Sequence, residues 1–436
     1  MNLFDVPRPL RERAVVPGDP RYAALRSTYT TRHSPAIVLL PENNAEVTSA
    51  LEFAQRSDVP LAIRSGGHGL SGRSSNDGGI VIDLSAMNSI EVLDIESRLV
   101  RVQAGARWAE VAAALDSRGL AISSGDHGNV GVGGLATAGG AGWLARSYGL
   151  TIDGIRAATV VLADGRIVHA DADHEPDLLW AVRGAGSFVG VVTDFEIEAV
   201  ELGTIGVAQI AIEVDRQGAA LRRWSEHMAT APRELTTNGL LFANGGTYVL
   251  QLTAVVASSD PDRIRSLVEP VAALGLRTLD LTAQLARYSM LVSTSHLHAN
   301  VGQQPSTTTN ALLPTLTAGS ARTLMDLAAN PLGPLLQLRS LGGAVNDVDR
   351  SATAYPHRDQ QVLAIVSAFP PVGIPELDAA VHPLHAHAEG AYRNFESHPG
   401  DASFERAFGV AGDRVRSLAR RYDPAGIFDP DRNLVN

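Results

Sequence analysis

Two glycine-rich stretches place the strongest limits on what this chain can fold into. The first, "RSGGHGLSGRSSNDGGIVIDLS" at residues 64–85, sets His68 among glycines, and the second, at residues 123–150, contains nine glycines. Glycine permits left-handed backbone and close approach of other groups, and the N–H groups of such loops can converge on an anion. Two interpretations remain open at this point: tight turns between packed elements, or a cradle for a phosphate-bearing cofactor.

Neither stretch carries a decisive nucleotide-binding motif. A P-loop needs a lysine, and the sequence has no lysine. "GVGGLA" at residues 131–136 fits G-x-G-x-x-A only loosely, because the strand expected before it is short and polar. No acidic residue follows at the distance that a Rossmann fingerprint requires. The glycine pattern therefore indicates backbone approach to a ligand or a neighbouring element without naming the ligand.

The composition is that of a soluble globular protein. Hydrophobic residues make up 45% of the chain and charged residues 19%. Its length of 436 residues predicts two domains. A net charge of −11 argues against nucleic acid and anionic membranes as partners. The absence of cysteine excludes disulfides, thiolate catalysis and cysteine-based metal sites. The first residues lack the apolar core of a signal peptide, and no segment is long enough to span a bilayer, so we expect a cytoplasmic monomer or homodimer.

The hydrophobic periodicity changes near residue 203. Before it, strands alternate with helices: "PAIVLL" reads as a strand, Asn44 as the cap of the following helix, and Asp164-Gly165 as a hairpin turn. This is an α/β pattern up to about Leu202. After it, "GVAQIAIEVD", "LTTNGLLFA", "YVLQLTAVV" and "QQVLAIVSAF" alternate like strands of an antiparallel sheet. Helices are expected between them at residues 216–229, 262–274 and 376–390.

Several motifs in a fixed order give this sequence a family resemblance. They are "RSGGH" (64–68), "VGVGG" (130–134), "YGLTIDGI" (148–155), "DLLWAVRGAG" (177–186), "GVVTDFEIE" (190–198), "AYPHR" (354–358), "YRNF" (392–395) and "RYDPAGIF" (421–428). The chain resembles the FAD-linked oxidases of the vanillyl-alcohol oxidase/p-cresol methylhydroxylase (PCMH) superfamily. Within it, the similarity is to the berberine bridge enzyme-like branch and its bacterial 6-hydroxynicotine-oxidising members.

The resemblance implies an α+β fold with an inserted domain. A PCMH-type FAD-binding domain of two α+β subdomains is expected from residues 1–202, with residues 391–436 returning to it. Residues 203–390 are expected to form a substrate-binding domain, built on an antiparallel sheet that helices cover.

The resemblance also implies an FAD site. His68 matches the histidine that bonds covalently to the 8α-methyl group of the flavin. The other matched cofactor-binding residues are Arg64, Ser65, Gly66, Gly67, Gly69, Gly72, Val130, Gly131, Gly134, Thr137, Gly140, Tyr148, Gly149, Asp153, Val192, Tyr392, Asn394 and Asn433.

Departures from the family pattern limit what is transferred. Many relatives have a second flavin link through a cysteine, at the position that His127 occupies here. With no cysteine, that link is impossible, and a single link through His68 is expected. Phe395 lacks the hydroxyl that many relatives have at this position, which favours a secondary metabolite or an amine over a sugar as substrate. Val130 is small and aliphatic, as in the oxidase relatives, which favours O₂ as the electron acceptor.

Oxidation of an alcohol or amine carbon needs a proton acceptor beside the flavin. The candidates, in order, are Tyr392, His127 and His357. For His127, a packing role along the flavin is an equal alternative. For His357, a structural role at a domain junction is the better alternative.

Two further polar features each have two interpretations. His382, His385 and His387 form either a metal site or a solvated helix face, and we expect the latter and no metal. The polar run at residues 293–310 is either a border of the active-site entrance or a plain surface loop.

The function implied is a flavin-dependent oxidase with covalently bound FAD. It would take a hydride from a C–OH or C–N carbon of a small organic molecule, such as a secondary metabolite, an alkaloid-like amine or a sugar, and pass the electrons to O₂ to give H₂O₂. The alternatives are a flavin monooxygenase or dehydrogenase on the same fold, or a flavin- or ligand-binding protein without turnover.

Overall fold

A short, largely parallel sheet begins the fold. The computed structural model describes residues 6–295, 299–398 and 400–428. The sheet has the order β1-β2-β4-β3, with β2, β4 and β3 parallel and β1 antiparallel to β2. Its elements are β1 (Ala14–Val15), α1 (Tyr22–Leu25), β2 (Ile37–Leu39), α2 (Asn44–Ser57), β3 (Leu61–Arg64) and β4 (Ile80–Asp83). The end of β3 leads directly into the loop that carries His68.

The cap of α2 lies one residue earlier than the sequence predicts. Asn43 has extended backbone, and its Oδ1 accepts the N–H of Glu46 at 3.0 Å. Asn44 is already the first helical residue, so its prediction as the cap is wrong. Asn43 and Asn44 are equivalent in the local pattern, and only the backbone conformation separates them.

The second sheet is antiparallel. Its order is β5-β6-β10-β8-β9. The α/β pattern predicted up to Leu202 is therefore wrong after β4, because the later strands pair with antiparallel neighbours. The elements of this region are β5 (Ile90–Asp94), β6 (Leu99–Gln103), α3 (Trp108–Asp116), β7 (Leu120–Ala121), α4 (Val132–Ala136), α5 (Ala145–Tyr148), β8 (Ile155–Val161), β9 (Ile167–Ala170), α6 (Pro176–Ala185), β10 (Val191–Glu198) and β11 (Val200–Glu201). The predicted hairpin is confirmed: β8 pairs with β9, and Gly165 in the turn has φ +83°.

A seven-stranded antiparallel sheet dominates the next region. Its order is β15-β12-β14-β13-β17-β18-β16. Its elements are β12 (Thr204–Val214), α7 (Ala219–Thr230), β13 (Leu235–Asn244), β14 (Thr247–Val256), α8 (Pro261–Ala272), β15 (Arg277–Arg287), α9 (Tyr288–Leu291), β16 (Thr307–Leu313), α10 (Ala318–Ala328), β17 (Leu335–Ser340), β18 (Val362–Ala368) and α11 (Ile374–His385). Leu336 and Leu338 of β17 belong to a core that this sheet forms with its covering helices. The alternate residues Gln337 and Arg339 lie on the opposite face, towards the first two sheets.

The C-terminal helices return to the first part of the chain. α12 (Asp401–Phe408) and α13 (Gly412–Tyr422) follow the large sheet, and α13 packs against α6. Val415, Leu418 and Tyr422 lie on the buried face of α13. The Tyr422 hydroxyl donates to Glu175 at 2.9 Å. The α+β fold class is thus confirmed, while the three domain boundaries stay a prediction.

No helix in the described part of the chain combines the length and the apolar character that crossing a bilayer would need.

Candidate cofactor-binding and active site

The two glycine-rich loops meet backbone to backbone. A Cβ atom on Gly66 would lie 2.3 Å from the Gly131 nitrogen, and one on Gly131 would lie 2.1 Å from both the Gly66 nitrogen and Ser65 Oγ. Ser65 Oγ donates to the Ala104 carbonyl at 2.6 Å and accepts the Gly133 N–H at 3.2 Å. Side chains at Gly66 or Gly131 would force the loops apart, so the glycines fix the loops at van der Waals contact.

A cavity of about 680 Å³ opens beside this junction. Its wall combines both loops with the cavity-facing side of the seven-stranded sheet and the segment before α12. Thirteen of the predicted site residues lie on the wall: Ser65, Gly66, Gly67, His68, Gly69, His127, Val130, Gly131, Gly134, Thr137, Val192, Tyr392 and Asn394. Residues far apart in the sequence are therefore brought to one place, as a large cofactor requires.

Other predicted site residues lie outside this wall and serve neighbouring structure. Arg64 is buried and its Nε donates to Asp83 at 2.6 Å, so its guanidinium ties β3 to β4 instead of pointing to the cavity. Gly140 and Gly149 have φ of +91° and +86° in the turns around α5. The remaining residues outside the wall are Gly72, Tyr148, Asp153 and His357. Asn433 lies outside the described residues.

His357 occupies a packed junction away from the cavity. Its Nε2 lies 2.9 Å from the Ala407 carbonyl, and a Cβ on Gly390 would come within 2.0 Å of its ring. Burial lowers the pKa of His357 to about 4, so the ring is neutral and donates to that carbonyl. Next to it, Arg358 forms a buried ion pair with Asp153 at 2.7 Å. These contacts favour the structural alternative, and His357 does not enter the catalytic set proposed below.

His68 stands in a small aromatic cluster on the cavity wall. Its ring stacks on Tyr29, with centroids 4.6 Å apart and planes 13° apart, and the ring of His127 lies 5.3 Å away. His127 Nε2 is 2.9 Å from Ser295 Oγ, which also lies 3.0 Å from Asn129 Oδ1. Stacking and hydrogen bonding hold both imidazoles in defined orientations beside the glycine loops.

The Tyr392 hydroxyl is held by the second glycine loop. It accepts the Gly140 N–H at 2.7 Å, and the side chain is only 3% exposed. Burial raises the pKa of Tyr392, so the phenol stays protonated at neutral pH and has its own O–H to donate. A Cβ on Gly139 would lie 2.5 Å from the Tyr392 ring, so glycine is needed there as well.

The opposite wall contributes residues that the sequence analysis missed. Arg339 Nη2 of β17 forms an ion pair with Asp126 at 2.8 Å, and the Arg339 guanidinium lies 4.7 Å from the centre of the Phe395 ring. Gln337, Ile365 and Ser367 lie on the same wall. The signal was present in "LLQLRS", where polar residues alternate with buried leucines, but the partner of Arg339 is far away in the sequence.

A buried carboxylate, also missed, lies at the edge of the sheet. Glu396 Oε2 accepts from Thr309 Oγ1 at 3.0 Å and lies 3.4 Å from Arg406 Nη1. Burial raises the pKa of Glu396 to about 7, although Arg406 opposes that effect. Because Thr309 belongs to the edge strand β16, Glu396 joins the C-terminal segment to the sheet margin.

The polar run at residues 293–310 and the histidines near the end of α11 lie in different surroundings. Gln304, Ser306 and Thr308 lie on the cavity wall, which favours the border interpretation of residues 293–310. Residues 307–310 belong to strand β16 and not to a loop, and residues 296–298 lie outside the described residues. His382 and His387 are exposed and His385 is half-buried, at the end of α11. Among the described residues, no group of three or more His, Cys, Asp or Glu side chains could hold a metal ion.

The residues present fit FAD. The cavity volume lies within the range of about 300–1,000 Å³ typical of ligand sites. Its wall offers backbone that can approach a ligand closely, and two buried polar atoms, Ser74 Oγ and Arg393 Nη1, have no hydrogen-bond partner in the described part of the chain. Such atoms are costly unless a polar ligand satisfies them, as the diphosphate and ribityl groups of FAD would.

Comparison with known proteins gives the same cofactor. Residues 35–171 match the family model of an FAD binding domain. (R)-6-hydroxynicotine oxidase of Paenarthrobacter nicotinovorans is 36% identical over 198 residues, which is 45% of this chain and 43% of that protein. The chain thus spans less than half of this relative. An FAD-linked oxidoreductase of Metarhizium anisopliae is 27% identical over 94% of this chain and 86% of its own length.

The solved structures extend the similarity to the whole fold. Glucooligosaccharide oxidase from Acremonium strictum, described with a 6-S-cysteinyl, 8α-N1-histidyl FAD, superimposes with a TM-score of 0.85. The superposition covers 95% of each chain at 22% identity, which establishes the fold alone. Together, these findings show that the chain contains an FAD binding domain at residues 35–171 and that it shares its overall fold with FAD-linked oxidases of known structure.

Proposed function

We propose that this protein is an oxidase that removes a hydride from a C–OH or C–N carbon of a small organic molecule, using FAD bonded to His68 alone and O₂ as acceptor. The observation that carries the proposal is the place of His68, which stands on the wall of the cavity where the two glycine loops meet. When bound, FAD takes up the two electrons of the substrate as hydride and gives them to O₂. The substrate also loses one proton from oxygen or nitrogen, and the products are a carbonyl or imine and H₂O₂.

The single link rests on the residues available. The glucooligosaccharide oxidase named above has one link to cysteine and one to histidine. This chain contains no cysteine, so a cysteinyl link has no donor atom. His68 supplies an imidazole on the cavity wall, held flat by Tyr29. His127 lies 5.3 Å away and stays available for other chemistry.

Tyr392 and His127 are proposed to handle the substrate proton. Gly140 fixes the Tyr392 oxygen, and the protonated phenol donates its hydrogen bond into the cavity, which orients a substrate oxygen or nitrogen. A phenol that burial keeps protonated is a poor base. His127 is therefore the proposed proton acceptor, because imidazole takes up a proton near neutral pH and Ser295 orients this ring at 2.9 Å.

The substrate is proposed to lie against the sheet wall. Gln337, Ser367 and the Arg339–Asp126 pair offer donors and acceptors there, beside the apolar Ile365 and Phe395. This combination fits a small molecule with one polar reacting carbon and an apolar or aromatic body. On the side of the glycine loops, the small Val130 is proposed to leave room for O₂ to approach.

Tyr392→Phe tests the orienting role. The variant loses the hydroxyl that Gly140 contacts, and we expect kcat to fall about tenfold to one-hundredfold, since one hydrogen bond to a reacting group contributes roughly 1.5–3 kcal/mol. Flavin content should be unchanged, and so should the pH profile, because His127 remains the base. Steady-state kinetics over a range of pH measure both. Tyr248→Phe, at a tyrosine of β14 outside the wall, is the matched control. Loss of the limb on which activity rises with pH would instead make Tyr392 the base.

The proposed function is tested by following flavin absorbance without oxygen. A panel of secondary alcohols, cyclic amines and oligosaccharides is added to the holoenzyme, and the expected result is bleaching by at least one alcohol or amine. Air should then restore the oxidised spectrum within seconds, with one H₂O₂ formed per flavin. Bleaching that air reverses only slowly would identify a dehydrogenase, and oxygen incorporated into the product would identify a monooxygenase. A protein that no compound bleaches would contradict the oxidase proposal in favour of a binding function.

A further inference from the structure

Arg393 has an unusual environment on the cavity wall. Its guanidinium carbon lies 4.7 Å from the centre of the Phe188 ring and 6.0 Å from that of Phe408, and Nη2 donates to Ser187 Oγ. Phe188 and Phe408 are themselves in edge contact at 5.6 Å. Arg393 is half-buried on the cavity wall, and its Nη1 is enclosed by protein. The aromatic rings and the serine hold a cation in place while one side of it stays open to a ligand.

The charge of Arg393 is not balanced within the described residues. Of residues 6–295, 299–398 and 400–428, no Asp or Glu forms an ion pair with it, and its Nη1 has no hydrogen-bond acceptor. The neighbouring charge is another cation, Arg73, and burial together with Arg73 lowers the pKa of Arg393 to about 9. By contrast, Arg339 on the same wall is paired with Asp126, and Arg406 with Glu396.

An enclosed cation beside a like charge lowers stability unless an anion joins it. Arg393 and Arg73 both lie on the wall of the cavity. We therefore expect the bound ligand to carry the anion that balances Arg393. FAD carries a diphosphate with two negative charges at neutral pH, and a guanidinium matches phosphate geometry with paired N–H groups.

We propose that Arg393 binds the diphosphate of FAD and that it supplies a counter-charge from the C-terminal segment, next to that of Arg73. The proposal deepens the function proposed above and rests on its FAD. The first glycine loop is close by: Ser397 Oγ donates to the Leu70 carbonyl at 3.3 Å, so the segment carrying Arg393 adjoins the loop after His68. Ser74 Oγ, unpartnered in the described part of the chain, lies on the same wall. The C-terminal segment thus adds a second cation to the cofactor site, beside Arg73 of the first glycine-rich stretch.

The test compares FAD with riboflavin, which has the same ring system and no phosphate. In a His68→Ala background, where FAD dissociates, Kd for both flavins is measured by quenching of flavin fluorescence. Adding Arg393→Gln is expected to raise Kd for FAD about tenfold to one-hundredfold, since a charge-assisted hydrogen bond contributes roughly 1.5–3 kcal/mol. Kd for riboflavin should not change. The effect of Arg393→Gln on FAD should shrink at high salt, because ions screen the charge interaction.

The second measurement is the melting temperature of the protein without flavin, which Arg393→Gln should not lower. Without flavin, Arg393→Gln is expected to melt at or above the temperature of its parent, because the variant loses an unbalanced enclosed charge. Arg416→Gln is the matched control. The Arg416 guanidinium lies 4.2 Å from the centre of the Phe404 ring, which contacts the rings of Phe188 and Phe408. Unlike Arg393, Arg416 is paired with Glu405 and lies off the cavity wall. Arg416→Gln should leave Kd for FAD unchanged.

The failures are distinguishable. If the parent binds FAD and Arg393→Gln leaves its Kd unchanged, or weakens riboflavin equally, the role of Arg393 is overturned while the FAD proposal stands. If the parent binds neither flavin, both proposals fall together. If the wild type itself releases its FAD, the titration is made without His68→Ala, and the covalent link alone is overturned.

Discussion

His68→Ala is expected to give a protein that still binds FAD and releases all of it on denaturation. The covalent link needs the imidazole, while the cavity wall, the glycine contact and the Tyr392 hydroxyl remain. A link to the 8α position is expected from the family to raise the reduction potential of the flavin. Its loss should therefore lower the potential and slow substrate oxidation by about tenfold or more, each tenfold corresponding to about 1.4 kcal/mol in the barrier. Redox titration and single-turnover kinetics measure the two effects.

His127→Ala is the control for this variant. His127 lies 5.3 Å from His68 on the same wall, and its removal should leave the flavin bonded to the protein. Activity should fall and lose its dependence on a group that titrates near neutral pH. Free flavin from denatured His127→Ala protein, with bonded flavin in His68→Ala, would reverse the roles given to the two histidines.

Gly131→Ala is expected to yield protein nearly free of FAD. The new Cβ would lie 2.1 Å from the Gly66 nitrogen, and backbone there cannot move without separating the two loops. Inserting a methyl group into packed structure typically costs about 1–3 kcal/mol, and here the distortion falls directly on the cofactor site. We therefore expect a lower melting temperature together with loss of the flavin absorbance from the purified protein.

Gly203→Ala separates the local effect from the general one. Gly203 has no atom within 4 Å of the position of a Cβ and does not adopt left-handed backbone, so alanine should change the free energy of unfolding by less than about 0.5 kcal/mol. Its flavin content should equal that of the wild type. A Gly131→Ala protein with full flavin content would show that the loop contact is not needed for the site.

The sequence motifs predict much of the cofactor site, because each motif spans only a few consecutive residues. "RSGGH" and "VGVGG" require glycine for a contact that the structure places between Gly66 and Gly131. Four strands of the large sheet, β12, β13, β14 and β18, follow from their alternation in the same way. The strands β15, β16 and β17 were not predicted. Period and glycine content are properties of a few consecutive residues, so a single sequence reveals them.

The pairing of distant residues could not be predicted. Arg339 reads as one polar position in a strand, and its partner Asp126 reads as one acid in a loop; only the packing of the sheet on the glycine loops joins them. Arg393 is a second example, because the residues next to it in the sequence do not indicate that it packs on Phe188 or lies beside Arg73. The α/β prediction for the second sheet was wrong for a related reason: strand direction depends on which strands pair, and β6 and β10 are distant in sequence.

The proposed reaction depends on a bond between FAD and His68, and the fate of flavin in denatured wild-type protein shows whether this bond forms. The chain has no lysine, so trypsin cleaves only after arginine and places His68 in the peptide 65–73, apart from His127 in the peptide 119–146. The protein is precipitated with acid, the pellet is digested, and flavin-bearing peptides are identified by mass. We expect a yellow pellet with all of its flavin on peptide 65–73. Flavin found entirely in the supernatant, or bonded to any other peptide, would contradict this expectation.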